Sequence, residues 1–441
     1  MTVSRRQLTF TLVVLFLVNF MNFYDRQVLG AIGEVIKREW QLTDSQLAGL
    51  TTAFVLLYAV IGIPLGRLAD VGRRRLILAV GVFTWSVFTG LSGLAPTFAW
   101  LVVCRLGVGV GEASAAPASN SLIGDLFPPE QRARAISVFM LGLPLGNAAS
   151  FLVSGLVAKA VGGWRPALLV AAVPGILLAI LTLWLPDPER GAADRTAAAQ
   201  PIPAWASIRG ILSIRTMWWI IASGALFNLN MYALAAFQTS FFIRFHGLDI
   251  DMANRFGAAI NLFGGGFGLI VGGFVGDRVA RWAARQGASA AQYRLRAAAT
   301  ALALTAPLMF MALQQAPGQY WAAAMLILAA ACVMFVYYST VYATIQDIVG
   351  PRERGTAMSV YFFVFYVFTA IGLVAFGRLS DTLAAQAVSR GATAVAARAA
   401  GLHGALYAVP TICVALVFIL WAASGTAVRD EARRLAGPVR A

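Results

Sequence analysis

Charge is scarce in this chain: Asp, Glu, Lys and Arg make up 12% of 441 residues, about half the share of a soluble domain. Lysine is almost missing, with Lys37 and Lys159 standing against 32 Arg. There are three cysteines, Cys104, Cys332 and Cys413, each alone in its own apolar segment. That spacing excludes a disulfide scaffold and a cysteine metal cluster. The two histidines, His246 and His403, fall near the ends of apolar runs and read as ordinary interfacial residues. No Gly-x-Ser-x-Gly, Walker loop or His-Glu-x-x-His is present, so no cofactor is implied, no enzyme is expected, and no ATP motif supplies energy.

What remains is apolar. Hydrophobic residues make up 59% of the chain, more than one water-soluble core can hide, because cores stop growing near 250–300 residues. A membrane helix needs about 20 apolar residues, and twelve such runs can be drawn. The first lies near 8–36, the fourth near 97–123, the tenth near 318–346 and the last near 402–425. The first run is too long for a cleavable signal core and carries Asn19, Asn22, Asp25 and Arg26. Two connections are longer, 186–213 and 381–401. The first of these divides the chain into 1–185, a linker at 186–213 and 214–441. With both termini placed in the cytoplasm, 23 Lys and Arg fall on that side and 9 on the other. The bias fits the positive-inside rule and accounts for the net +15. No basic run is interleaved with aromatics, so no nucleic-acid partner is expected.

The two halves repeat. The segment from Asn120 to Phe139 aligns without gaps to Tyr342–Tyr361, matching Asp125 to Asp347, Arg132 to Arg354, Ala135 to Ala357 and Ser137 to Ser359. Gly66-x-x-x-Asp70-x-Gly72-Arg73-Arg74 is answered by Gly273-x-x-x-Asp277-Arg278. The predicted fold is therefore all-α, with twelve transmembrane helices in two pseudo-symmetric six-helix bundles.

The Gly66–Arg74 motif, its second copy and the twelve-span plan resemble the major facilitator superfamily. Three stretches further resemble its Spinster subfamily of lipid transporters: Asn22-Phe-Tyr-Asp25-Arg26-Gln-Val, Arg105-Leu-Gly-Val-Gly-Val-Gly-Glu112-Ala-Ser114, and Ile123-Gly-Asp125-Leu-Phe-Pro-Pro-Glu-Gln-Arg132. The Arg, Ala and Gly bias is that of a GC-rich bacterial member, which implies a multi-pass protein of the bacterial inner membrane, working as a monomer. The resemblance also implies that Gly66, Asp70, Gly72, Arg73, Arg74, Arg132, Asp277, Arg278 and Arg354 form a cytoplasmic gate. The plainer reading is topogenic charge around a tight turn.

Ionisable residues inside spans cost at least ~2.5–3.5 kcal/mol each on insertion scales, so they need a partner or a wet cavity. Asp25 and Arg26 are adjacent and point about 100° apart. Asn22 shares a face with both. Arg105 and Glu112 are seven apart and share one face of span 4, about 10.5 Å along the axis. Asn120 follows beyond an expected kink at Pro117. Asp25 and Glu112 are proton-coupling candidates, with Arg26 and Arg105 as switching partners or anchors for an anionic group. The alternative is a static network holding helices 1 and 4 together. By resemblance, the four positions match cavity residues of Spinster-type transporters.

The second half offers no acid within its candidate spans away from their ends, only Asn228, Tyr232, Tyr338, Tyr342 and Tyr366 among other aromatics. A charged first half and an aromatic second half suit an amphipathic anion. Proton-coupled secondary transport of a lysophospholipid or sphingolipid-like molecule is therefore expected, with protons and membrane lipids as partners. Symport of small organic acids, such as sugar acids or aromatic carboxylates, is the alternative. A lipid-modifying enzyme is disfavoured.

Overall fold

The computed structural model describes residues 4–127, 135, 138–188, 204–349 and 354–435. Those residues form helices and connecting turns, and twelve helical segments are long and apolar enough to cross a membrane. In the first half the helices are α1 (Arg5–Trp40), α2 (Asp44–Val71), α3 (Arg74–Gly93), α4 (Phe98–Glu112), α5 (Ala115–Leu126), α6 (Gly142–Val161) and α7 (Arg165–Thr182). Then come the short α8 (Ala204–Ser213), α9 (Arg215–Arg244) and α10 (Ile250–Ala259), followed by a π turn at Ile260–Gly265 and α11 (Gly266–Arg285). The chain ends with α12 (Ala290–Leu313), α13 (Tyr320–Met334), α14 (Val336–Ile348), α15 (Arg354–Ser389), α16 (Ala394–Leu406) and α17 (Ala408–Leu435).

The helix starts are written locally. Ser4 and Thr43 close capping boxes with Gln7 and Gln46, satisfying backbone N–H groups that a helix end leaves free. Thr97, Ser289 and Thr393 cap α4, α12 and α16 through their hydroxyls. The 381–401 connection is shorter than expected, because α15 runs on to Ser389 and α16 begins at Ala394. Alanine fills the flanks of this turn, and alanine has the highest helix propensity. Only the segment around Arg390–Thr393 turns, with Gly391 at φ 93°.

The fourth span breaks between Glu112 and Ala115, and the tenth breaks at Phe335. Ala113 and Phe335 are equivalent positions of the internal repeat. In the first copy Pro117 lacks the N–H that would bond to the Ala113 carbonyl, and its ring crowds that carbonyl. The second copy has Ser339 at the proline position, with its hydroxyl donating to the Leu269 carbonyl. There the break coincides with packing against the glycine face of α11. A Cβ on Gly268 would lie 2.4 Å from the Cys332 carbonyl oxygen, and one on Gly272 would lie 2.8 Å from the Val336 Cα. Small residues here admit backbone-to-backbone contact.

The chain divides into two compact units. One holds residues up to Ala199 together with Ala235–Ile243 and Leu248–Ala258, and the other holds the rest. Within the first, α1 packs on α6, and α3 packs on α4 and α7. Ala235–Ile243 of α9 and α10 as far as Ala258 join this unit through polar contacts. Asn254 donates to the Ala31 carbonyl (3.0 Å) and accepts from Thr239 (2.8 Å). Lys159 at the end of α6 binds Asp249 (2.8 Å) and Asp251 (3.6 Å). Within the second unit, α12 packs on α17 and α13, and α15 packs on α16.

Candidate functional site

The first unit buries four charged side chains in the middle of its spans. Asp25, Arg105 and Glu112 are 1%, 2% and 0% exposed. Arg26 Nε donates to Glu112 Oε2 at 2.9 Å. The guanidinium also lies over three rings, Tyr58 at 4.4 Å, Phe23 at 5.1 Å and Phe54 at 5.6 Å. It is thus held by one charge-assisted bond and by aromatic faces, which attract a desolvated cation. Asn22 places its amide beside Glu112. Asn19, higher on the same stripe, donates instead to the Phe139 carbonyl at 2.8 Å.

Asp25 is arranged differently. Arg105 and Glu112 from α4 and the indole of Trp85 from α3 face its carboxyl. Neither Asp25 oxygen has a hydrogen-bond partner among the described residues, and neither do Arg105 Nε and Nη2. Arg26 engages Glu112 through Oε2 alone, leaving Glu112 Oε1 without a partner, and Asp25 and Arg105 stand open beside that pair. The structure therefore brings Asn22, Asp25, Arg26, Arg105 and Glu112 into one cluster. Asn120 stays outside it: it is exposed and donates to Ala116 O of its own helix at 2.9 Å. Trp85, Tyr58, Phe54 and Phe23 are not marked by the sequence, because an aromatic in an apolar run carries no sign of its neighbour.

The second unit buries rings. Phe227 stacks on Tyr337 with centroids 3.9 Å apart and planes 10° apart. Ser223, Tyr337 and Tyr361 form a hydroxyl chain at 2.8 and 3.4 Å. Tyr338 meets Tyr342 edge to face at 5.4 Å, Tyr342 meets Tyr361 at 5.7 Å, and Tyr366 stacks near Phe362 at 6.3 Å. Asn228 ties α9 to α15 by donating to Thr369 Oγ1 at 2.6 Å. Tyr232 is half-buried on α9. Of the predicted residues, Tyr338, Tyr342 and Tyr366 share this aromatic cluster, and Asn228 serves as a tie between helices.

The sequence profile of the Major Facilitator Superfamily matches residues 15–373. The chain belongs to that superfamily. It is accordingly a multi-pass membrane transporter rather than an enzyme. An "MFS-type efflux pump" of Mycolicibacterium smegmatis is 28% identical over 86% of this chain and 86% of that protein. A "Probable L-galactonate transporter" of Escherichia coli is 29% identical over 62% of each chain, so the match spans less than two thirds of it. Among solved structures, a bacterial homolog to the human lysosomal transporter Spinster, in an inward-facing and unoccupied conformation, superposes with TM-score 0.86. It is 26% identical, with 97% of this chain and 99% of that chain covered. The Spinster resemblance of the sequence motifs thus extends over the fold.

At the superfamily loop motif, Gly72 ends α2 with its N–H on the Leu68 carbonyl (2.7 Å), and exposed Arg73 precedes α3. Arg74 is buried. Its guanidinium reaches Asp125, Asp187 (2.8 Å), the Ser121 hydroxyl (3.3 Å) and the Pro188 carbonyl. In the second half Arg294 binds Asp347, the repeat partner of Asp125. The same bridge is therefore built twice, from an arginine at the start of one span to an aspartate at the end of the next. The repeat makes the two aspartates equivalent in sequence, and the fold supplies the arginine that each one holds. Asp277 and Arg278 are exposed on α11. Gly66 and Asp70 lie in α2 and Arg354 opens α15, but their side chains fall outside the described residues, as does Arg132 entirely.

Proposed function

We propose that this superfamily member is a proton-coupled secondary transporter, working by alternating access on an amphipathic anion such as a lysophospholipid or sphingolipid-like molecule. One observation carries the reading: within one buried cluster, Arg26 binds Glu112 through Oε2 alone, while Glu112 Oε1, both Asp25 oxygens and Arg105 Nε and Nη2 have no hydrogen-bond partner among the described residues. An open buried guanidinium is a receptor for an anionic group, and an open buried carboxyl beside it can take up and release a proton. Both are expensive to hold in a dry span unless they act. The reading includes a bacterial inner-membrane location, cytoplasmic termini and a monomeric working form. The cytoplasmic gate is likewise assigned to the Gly66–Arg74 motif and its Asp277–Arg278 copy.

The test is uptake into proteoliposomes under an imposed pH gradient, with a lysophospholipid and with a sugar acid as separate cargoes. Lysophospholipid uptake that collapses with the gradient is expected. Asp25→Asn should lower gradient-driven uptake at least about tenfold, about 1.4 kcal/mol, while leaving equilibrium binding of the cargo in place. Uptake of the sugar acid alone would replace the lipid by the second reading, which the L-galactonate name of one relative favours. Unchanged gradient dependence in both Asp25→Asn and Glu112→Gln would overturn proton coupling.

A further inference from the structure

Trp85 is fully buried on α3, and its backbone is clamped. A Cβ on Gly111 of α4 would lie 2.6 Å from the Trp85 backbone nitrogen, and one on Gly81 would lie 1.8 Å from Ser114 Oγ. With α3 and α4 in backbone contact, the indole has little room to choose another direction. Its Nε1–H has no hydrogen-bond partner among the described residues. Buried indole N–H groups ordinarily find an acceptor, and an unmet one costs about 1–3 kcal/mol.

The carboxyl that this indole faces is Asp25, whose two oxygens also lack partners. The other groups around Asp25 are spoken for or open in a definite way. Glu112 is bound through Oε2 to Arg26, which lies over Tyr58 of α2, and its Oε1 is open. Tyr24, the neighbour on α1, has its hydroxyl 3.2 Å from Ser154 of α6. Arg105 of α4 has Nε and Nη2 open. A donor on α3 and donors on α4 therefore flank one acceptor, and none meets it in full hydrogen-bond geometry. Hydrogen bonds to an ionised acceptor are roughly twice as strong as neutral ones, so the protonation state of Asp25 decides whether such a bond is worth closing.

We propose that Trp85 is a positioning residue of the coupling site. Its indole N–H donates to the Asp25 carboxylate when that group is ionised and lets go when it takes a proton, so that α3 reads the charge state of α1. The inference rests on the reading of Asp25 as the proton-coupling group. Nothing but the proton changes hands: it arrives from the aqueous side, and the indole keeps its own.

Trp85→Phe keeps a large ring and deletes the donor. Because the donor favours the ionised carboxyl, its loss lets Asp25 take a proton at higher pH. The pH profile of uptake should move toward higher pH, with several-fold lower uptake on its original acid limb and an unchanged melting temperature. In an Asp25→Asn background, Trp85→Phe should move the profile no further. Ultraviolet resonance Raman gives a readout independent of transport. The indole hydrogen-bond band in the parent-minus-Trp85→Phe difference spectrum should shift between pH 5 and pH 8, and stay fixed when Asp25 is Asn. If Trp85→Phe does not fold, the parent-minus-Asp25→Asn difference carries the same test. A band that ignores pH in the parent, or a superimposable uptake profile, overturns the role of Trp85. A pH profile that Asp25→Asn itself leaves untouched overturns the reading of Asp25 as the coupling group instead.

Discussion

The two halves share a repeat and put opposite chemistry on it. Arg105 and Glu112 in the fourth span correspond to Ile327 and Met334 in the tenth, each buried or nearly so. The spans break at equivalent places, and each is bolted at its end by an arginine–aspartate pair, Arg74–Asp125 and Arg294–Asp347. The scaffold is thus duplicated while the charge is not. Duplication conserves what the backbone needs, namely the break and the terminal ion pair. Ionisable groups at mid-span are placed in one copy only, where partners from α1 meet them.

The sharpest way to break this comparison is to write the second half into the first. Glu112→Met creates the residue pattern of the tenth span but strands the Arg26 guanidinium, whose side chain is 7% exposed. Removing one partner of a buried ion pair costs about 3–5 kcal/mol, so a large fall in thermal stability is expected. The double variant Arg26→Met/Glu112→Met should recover most of that loss, because no charge is left uncompensated. A double variant as unstable as the single one would mean that Glu112 supports the fold through something other than Arg26.

A smaller effect separates the two terminal bolts. Arg74 serves two carboxylates, a hydroxyl and two carbonyls, and its side chain is 2% exposed. Arg294 is paired with Asp347 at 15% and 25% exposure. Arg74→Ala is expected to cost about 2–3 kcal/mol and Arg294→Ala about 1 kcal/mol, read from unfolding in detergent. Equal losses would show that the bolts do the same job despite their different partners.

Most of the architecture was legible in the sequence, because twelve apolar runs of helix length admit few other solutions in lipid. Pro117 announced the break in the fourth span, but nothing announced the one at Phe335, which coincides with glycines on a different helix. The four mid-span charges were legible as a group, since lipid penalises each one. Their pairing was not: Asp25 and Arg26 point about 100° apart, and only packing decides that Arg26 takes Glu112 while Asp25 faces Trp85. The 381–401 segment is expected as a long connection, but its alanines keep the helix going to Ser389 and restart it at Ala394. His246 is expected near the interface, and in the structure it is buried, 7% exposed.

That histidine supplies the finest contrast between the units, at the turn from α9 to α10. In the second unit, burial and the nearby His403 push the His246 imidazole down to about 4 from its ordinary 6.5. In the first, the Lys159 ammonium and the Met252 N–H hold the Asp249 carboxyl below the usual aspartate range. The two act over different pH windows. For His246 the unfolded chain binds a proton near pH 6.5 and the folded one near 4, so stability falls as pH drops through that interval. His246→Leu should flatten stability between those limits. For Asp249 the folded carboxylate is favoured, so its contribution is complete above about pH 3.9 and is lost as pH falls through its lower folded value. Lys159→Met should therefore destabilise slightly and evenly at neutral pH, with the difference from the parent vanishing only in stronger acid. Melting temperatures of the two variants between pH 3 and pH 8 check both signs at once, and a slope near pH 6 that survives His246→Leu would place the titrating group elsewhere.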